Sequence, residues 1–409
     1  MNITFLKNLI SLTLVQGVNY ILPLLTLPYL VRVLGLENFG ILAFTTAIIA
    51  FFAVITDYGF NFTATREISL FKSNRKELIK IYSSVMTLKF CLMVISFGIL
   101  CTLIFLIPRF NDNAIIFILS YGIVVGQFLF PVWFFQGMEE MQFITIVNVI
   151  SKILSTICIF IFIHEANDFY LVPIFMSLGS ICGGLYSLYL IAKNFKIPFK
   201  FQTKTELLKH LRGGFNLFST TFLSTMLTSS GILILGFYTS NSMVGIYSAI
   251  EKIFRAIAGL FSPITQAIYP ISCKKLNSNE DINKNYFVKL TIIMFSLSSV
   301  VAILISLFSN YIINLFYANT IQAYTYILKV MMVWLVFSVM NNILGVQYLS
   351  AKRKDKYYLY AFICGAFLTV VLNFILIPLF LINGILCAMI VGEIALTLMM
   401  IILIKGKNL

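Results

Sequence analysis

The sequence predicts an all-α integral membrane protein, with about twelve transmembrane helices in two six-helix lobes around a central cavity. Of its 409 residues, 60% are hydrophobic and only 11% are charged, and the mean hydropathy is +0.97. A water-soluble domain does not have the interior to bury so much apolar surface. Apolar windows of ~20 residues, long enough to cross a bilayer, recur along the whole chain. The longest predicted cytoplasmic loop, 193–214, divides these windows into two sets of six.

The windows define the predicted helices in chain order. The first set lies at 9–33, 40–60, 81–107, 114–136, 144–163 and 169–192. The second set lies at 215–237, 242–270, 288–309, 322–349, 357–381 and 383–404. The first window begins just after Lys7 and is longer than the ~7–15-residue core of a signal peptide, so we predict a transmembrane helix there. We predict an N-terminal lobe at 1–192, a cytoplasmic linker at 193–214 and a C-terminal lobe at 215–409.

The distribution of cations predicts the orientation of these helices. Of the 29 lysine and arginine residues, 22 fall in loops on one face, whereas only Arg32 and Arg109 fall on the other. Loops rich in lysine and arginine stay in the cytoplasm, so both termini are predicted to lie there. This topology accounts for most of the formal net charge of +14, which therefore does not indicate binding to nucleic acid.

Two pairs of short segments indicate an internal duplication. One pair aligns Gly40 with Gly245 and the other aligns Gln136 with Gln347, at offsets of 205 and 211 residues, close to half the chain length. The segments are GLENFGILAF at 35–44 with TSNSMVGIYSA at 239–249, and FFQGME at 134–139 with GVQYLSA at 345–351. Both halves begin on the same face, so the repeats are predicted to be parallel, as in two-lobed alternating-access transporters.

Charged side chains that interrupt the apolar windows are the strongest candidates for a functional site. A charge at the centre of a transmembrane helix costs at least ~2.5–3.5 kcal/mol, so such residues usually face a protein interior or a water-filled cavity. We predict a cationic substrate-binding cavity with five candidate residues: Lys252, Arg255, Lys89, Lys152 and Lys329.

Alternatives to the cationic cavity stay open for each of these residues. Lys89 and Lys152 are each predicted to lie ~12 Å from a cytoplasmic helix end. From that depth a lysine can extend its side chain to the interface. The same alternative stays open for Lys329, which lies about seven residues from the periplasmic end of its window. Arg255 lies one helical turn after Glu251, so these two side chains can instead pair and neutralise each other.

A second group of charged residues is predicted to act in gating or ion coupling: Glu393, Glu251, Asp57, Arg66 and Arg32. Glu393 lies near the centre of the last window, where a carboxyl group is a candidate proton carrier. It is predicted either to titrate in a proton-coupled cycle or to partner an interior lysine. Arg66 and Arg32 lie near helix ends, so we predict interfacial anchors or gate contacts there.

The sequence offers little for catalysis or metal binding. The seven cysteines include no CxxC pair, and there are only two histidines, His164 and His210, both in predicted loops. No metal site, disulfide framework or catalytic residue is predicted. The loops on the face opposite the cytoplasm are short and hold no folded domain, so we predict a transporter and not an enzyme.

Four stretches resemble signature segments of Wzx-type O-antigen flippases, the polysaccharide repeat-unit exporters of the MATE-like superfamily. They are TLPYLVRVLGLENFG at 26–40, TDYGFNFTATREIS at 56–69, FPVWFFQGMEEM at 130–141 and EKIFRAIAGLFSPITQAIYP at 251–270. The resemblance implies a MATE-like fold in the bacterial inner membrane. It also implies translocation of an undecaprenyl-diphosphate-linked oligosaccharide to the periplasmic face by alternating access. A cationic lumen, typical of these flippases, agrees with the interior charges.

The resemblance also implies partners and leaves alternatives open. The partners are the lipid-linked oligosaccharide and membrane lipid, with a polysaccharide polymerase and a chain-length regulator as further candidates. No cofactor is implied, but coupling to a gradient of H+ or Na+ is open. A MATE-like exporter of small organic solutes would need an acidic cavity. A membrane-embedded polymerase or glycosyltransferase would need an acidic catalytic loop or a large periplasmic segment.

Overall fold

A computed structural model of the protein describes the backbone of residues 3–276 and 280–406, and the side chains of 22–276, 285–318 and 320–406. Lys7 therefore lies outside the described side chains. Throughout the described ranges the regular elements are helices and no strand occurs. The predicted all-α class is confirmed, because a helix satisfies its own backbone hydrogen bonds without water.

Sixteen α-helices follow one another along the described chain, with short 3₁₀ or π-helical turns beside some of them. In the first half they are α1 (Ile3–Asp57), α2 (Phe60–Leu70), α3 (Arg75–Leu106), α4 (Pro108–Asn111), α5 (Ala114–Leu129), α6 (Val132–Gly137), α7 (Met141–Phe162) and α8 (Leu171–Leu190). In the second half they are α9 (Lys204–Tyr238), α10 (Asn241–Gly259), α11 (Phe261–Leu276), α12 (Glu280–Leu307), α13 (Ser309–Tyr317), α14 (Thr325–Asn342), α15 (Asp355–Phe380) and α16 (Ile382–Gly406).

Ten helical segments in the described chain are long and apolar enough to cross a membrane. One of them, Leu22–Leu70, contains Gly35 at φ +76°, a left-handed backbone conformation that glycine adopts without strain. Gly35 therefore divides this segment into two spans. The successive helices α10 and α11 form a further predicted span, which is outside the ten because α10 carries three charged residues and α11 is short. With Leu22–Leu70 counted as two spans and α10–α11 added, the ten segments correspond to about twelve spans, as predicted.

The described chain forms two compact units, Met1–Ser229 and Ser230–Leu409. In the N-terminal unit, small residues bring helices α5, α7 and α8 together. A Cβ atom at Gly126 of α5 would lie 2.4 Å from Ser180 of α8, and one at Gly183 of α8 would lie 2.0 Å from the Ser151 Oγ atom of α7. Such close approach of backbones is how membrane helices pack without a hydrophobic driving force. It holds the middle of α7 against α8.

Corresponding glutamines make corresponding hydrogen bonds in the two units. The Gln136 side-chain oxygen accepts a hydrogen bond from the Thr65 hydroxyl at 3.3 Å, which joins α6 to α2. The Gln347 side-chain oxygen accepts one from the Ser272 hydroxyl at 3.0 Å, which joins the turn after α14 to α11. Gln347 is fully buried and also donates to the Thr265 carbonyl at 2.9 Å. This similarity supports the internal duplication.

Candidate functional site

Lys89 forms a buried ion pair with Asp57 in the N-terminal unit. The Lys89 Nζ atom donates to the Asp57 Oδ1 atom at 3.1 Å, and the side chains are 3% and 23% exposed. The pair joins the middle of α3 to the last residue of α1. A carboxylate at hydrogen-bonding distance offsets the cost of burying an ammonium group. A residue predicted for the cavity and one predicted for gating are thus partners of each other.

Lys152 lies at the centre of α7. It is 11 residues after Met141 and 10 before Phe162, the first and last residues of that helix. At 1.5 Å per residue it lies ~15 Å from either end, deeper than the sequence predicted. A lysine side chain is too short to reach a membrane interface from that depth, so its half-buried position favours a cavity over the interface.

A cavity of about 390 Å³ is lined by Lys152 and by other residues of α1, α5, α7 and α8. Its polar lining includes Gln127, Asn148, Ser151, Lys152, Ser155 and Thr156. No aspartate or glutamate lines it among the described residues. The described lining therefore carries one positive charge, and the volume of the cavity lies in the ~300–1,000 Å³ range of small-molecule sites.

Glu251, Lys252 and Arg255 lie together on α10 of the C-terminal unit. The Arg255 Nε and Nη2 atoms donate to the Glu251 Oε1 atom at 2.9 and 2.6 Å. The Glu251 side chain is 6% exposed, the Arg255 side chain is 49% exposed, and Lys252 is half-buried. The structure therefore contains the intrahelical pair of Glu251 and Arg255 that was predicted as the alternative. The cluster therefore presents one net positive charge, and two of its three charges neutralise each other.

Glu393 is held by amide and hydroxyl groups at the centre of α16. The Asn341 side-chain amide of α14 donates to the Glu393 carboxylate, and also to the Glu393 carbonyl at 3.1 Å. The Thr397 hydroxyl donates to the Asn341 Oδ1 atom at 2.7 Å and so orients the amide. Among the described residues Glu393 has no lysine partner. Its chemistry is that of an intramembrane carboxyl group held by neutral donors.

The three other predicted site residues are exposed. Arg32 lies in α1, Arg66 in α2 and Lys329 in α14. Within each unit the structure brings together Lys89 with Asp57, and Glu251 with Arg255. The candidates therefore do not form one site inside a unit, and Lys152 alone of them lines the N-terminal cavity.

Several functional candidates were missed in the sequence. Lys152 was predicted, but its polar neighbours Asn148, Ser151 and Ser155 were not among the predicted site residues. Together they recur at the spacing of one helix face, a signal that marks a polar stripe in an apolar window. His210, predicted to lie in a loop, lies in α9 and pairs with Glu67 of α2 at 3.2 Å. Lys80 and Glu206 pair at 2.7 Å and join α3 to α9. The TELLKHL sequence at 205–211 could have indicated that α9 starts before the apolar window.

Comparisons with known proteins show that the chain is similar to polysaccharide-related proteins. A family model described as polysaccharide biosynthesis protein matches residues 5–276. The protein named "Putative O-antigen transporter" of Escherichia coli (strain K12) is 34% identical over 264 residues, which are 64% of this chain and 64% of that protein. The protein of the same name from Shigella dysenteriae is 31% identical over 265 residues, 64% of this chain and 66% of that protein. The match thus spans about two thirds of these relatives.

Solved structures show the same fold. Lipid II flippase MurJ in an inward closed conformation superposes with a TM-score of 0.71 at 16% identity, covering 98% of this chain and 87% of that one. An inward-facing multidrug resistance MATE family transporter of the MOP superfamily superposes with a TM-score of 0.69 at 16% identity, covering 95% of both chains. At this identity the likeness concerns the fold alone, and it confirms the predicted MATE-like architecture.

Proposed function

This chain belongs to the polysaccharide biosynthesis protein family, and we propose that it is a flippase for a lipid-linked oligosaccharide. The substrate is an undecaprenyl-diphosphate-linked unit of O-antigen or a similar polysaccharide. It moves from the cytoplasmic to the periplasmic face of the bacterial inner membrane. The names of the relatives from Escherichia coli and Shigella dysenteriae support this substrate class.

The observation that carries the proposal is a cation held at mid-membrane depth, where it lines a cavity together with several uncharged polar residues. Lys152 lies ~15 Å from both ends of its helix. An ammonium group at that depth is costly unless it faces a water-filled cavity or polar partners. A diphosphate must lose its hydration to cross the membrane, and charge-assisted hydrogen bonds from the protein replace that hydration. The absence of acidic residues from the described cavity lining argues against an exporter of organic cations.

The transport cycle is proposed to be alternating access. The oligosaccharide and its diphosphate enter from the cytoplasmic face, while the prenyl chain stays in the lipid. The site then opens to the periplasmic face. Lys252 and Arg255 of α10 and Lys329 of α14 are proposed as further cations along the path. Arg32, Arg66, Asp57 and Glu251 are proposed to act in gating.

Glu393 is the proposed site of coupling to a gradient of H+ or Na+. A carboxyl group at the centre of a membrane helix, held by the Asn341 amide, can bind and release a small cation. The bias of 22 cations on one face supports cytoplasmic termini. A polysaccharide polymerase and a chain-length regulator are proposed to act on the transported product.

The test is deletion of the gene in its own host, with lipid-linked oligosaccharide measured on each face of the membrane. A periplasm-accessible glycosidase applied to spheroplasts and to lysed cells distinguishes the two faces. We expect the oligosaccharide to accumulate on the cytoplasmic face and surface polysaccharide to be lost, with the wild-type gene restoring both. Normal surface polysaccharide in the deletion strain would contradict the proposal.

A further inference from the structure

We propose that residues 196–204, in the linker between α8 and α9, form a binding surface for anionic phospholipids on the cytoplasmic side of the membrane. The Phe199 and Phe201 rings enter the boundary between headgroups and acyl chains, and the Lys200 and Lys204 ammonium groups bind the lipid phosphate. The ligand is the bulk lipid of the bilayer and not the transported molecule, so the inference is independent of the proposed function.

This segment is held in place along α3, although it has no regular secondary structure before α9 begins. The Arg75 Nη2 atom donates to the Lys196 carbonyl at 2.8 Å. The Lys200 backbone N–H donates to the Ser83 Oγ atom at 2.9 Å. Between these two contacts, the Ile197 side chain is buried in the hydrophobic core of the N-terminal unit. The segment is therefore a fixed platform for the side chains that follow Ile197.

The contacts with α3 also fix the depth of the segment. Arg75 is the first residue of α3, and Ser83 lies eight residues further, ~12 Å along the helix axis. The apolar window of this helix begins at residue 81, so Ser83 lies just inside the apolar part of α3. The segment therefore runs from the predicted cytoplasmic end of α3 towards the membrane. It brings Lys200 to the level at which lipid headgroups meet the acyl chains.

Two phenylalanine rings project from the segment at this level. The Phe199 side chain is 48% exposed and the Phe201 side chain is 90% exposed, and their ring centroids lie 5.4 Å apart. Removing such apolar surface from water is favourable. Exposed apolar side chains bordered by cations are typical of surfaces that lie in the membrane interface. At this depth the two rings can leave water without any change in the fold, by contact with lipid.

The charge of the linker is complementary to anionic lipid. Residues 193–214 contain six cations and a single acid, Glu206, which pairs with Lys80 at 2.7 Å. All six cations are exposed: Lys193, Lys196, Lys200, Lys204, Lys209 and Arg212. Clusters of this size beside a membrane helix bind anionic headgroups. The preference of cations for cytoplasmic loops explains the charge alone, whereas contact with lipid explains both the charge and the exposed rings.

The experiment measures tryptophan fluorescence of the full-length protein in nanodiscs. The reporter is Phe201→Trp, and the emission of the two native tryptophans, measured in wild type, is subtracted. The discs contain phosphatidylcholine with a small, equal fraction of brominated phosphatidylglycerol or brominated phosphatidylcholine, whose bromine atoms quench a tryptophan that contacts lipid. We expect brominated phosphatidylglycerol to be preferred by ~3- to 30-fold. Lys200→Gln/Lys204→Gln should remove most of this preference, at ~5-fold per lysine.

The matched control is Lys354→Gln/Lys356→Gln, which removes two exposed lysines at the start of α15 and should keep the preference. All four lysines are exposed, so the substitutions should leave the unfolding midpoint unchanged. A preference that is lost only in Lys200→Gln/Lys204→Gln supports the proposal. Equal quenching by the two brominated lipids overturns it, because the contact is then not selective for anionic lipid. Quenching of the reporter by aqueous acrylamide but by neither lipid also overturns it, and favours an acidic protein partner for the linker.

Discussion

Replacing Asp57 by asparagine is expected to destabilise the N-terminal unit through Lys89. The substitution keeps the side-chain volume but removes the carboxylate that lies 3.1 Å from the Lys89 Nζ atom. The Lys89 side chain is only 3% exposed, so its ammonium group cannot turn to water. Breaking a buried pair by removing one partner costs ~3–5 kcal/mol. Since Asp57 is 23% exposed, we expect about 3 kcal/mol, the lower end of that range.

The assay is reversible unfolding in mixed micelles, analysed as a double-mutant cycle. The variants are Asp57→Asn, Lys89→Met and the double substitution. The double variant should recover most of the loss, because it contains no buried charge without a counter-charge. The matched control is Glu206→Gln, which breaks the more exposed pair of Lys80 and Glu206 and should cost only ~0.2–1 kcal/mol.

Two results would refute this reasoning about the buried pair. One is a cost for Asp57→Asn no greater than that for Glu206→Gln, which would show that Lys89 finds water or another partner. The other is a double variant as unstable as Asp57→Asn, which would show that the loss comes from packing and not from the unpaired charge.

Three further predictions concern other contacts. Gly183→Ala should lower the free energy of unfolding by ~1–3 kcal/mol, because a Cβ atom there would displace Ser151; an unchanged free energy of unfolding would contradict this close packing. Gln347→Leu should cost ~1–3 kcal/mol in the free energy of unfolding, since it removes both hydrogen bonds of a fully buried amide, and an unchanged midpoint would be inconsistent with it. Glu393→Gln should abolish proton movement measured with a pH-sensitive dye in proteoliposomes; unchanged proton movement would exclude Glu393 as the carrier.

The intramembrane charges show how far prediction from sequence reaches. Lys89, Lys152, Glu251 and Glu393 stand out in the sequence because the surrounding apolar residues make a charge expensive. Their partners differ in whether the sequence alone indicates them. Glu251 pairs with Arg255 one turn away, a spacing that the sequence contains. Lys89 pairs with Asp57, which is 32 residues away in another helix, so only the packing of helices reveals it.

The cavity of the N-terminal unit also shows that local sequence patterns do not reveal contacts between different helices. The polar stripe around Lys152 is readable as helical spacing on α7, but Gln127 lies on α5, and no local pattern joins them. Whether a serine offers a donor also depends on geometry. The Ser155 hydroxyl has two acceptors at 2.9 Å, the carbonyls of Ser151 and Phe175. The Ser151 hydroxyl makes no hydrogen bond among the described residues, although the two residues are chemically identical.

The sequence by itself determined the class of protein, the number of spans and the residues whose charge is costly in a membrane. These properties follow from composition and length, because a bilayer selects apolar segments of ~20 residues and keeps lysine-rich loops in the cytoplasm. Only the tertiary structure decided which charges are neutralised and which line a cavity. That decision depends on distances of a few ångströms between helices far apart in the chain, set by close packing at residues such as Gly126 and Gly183.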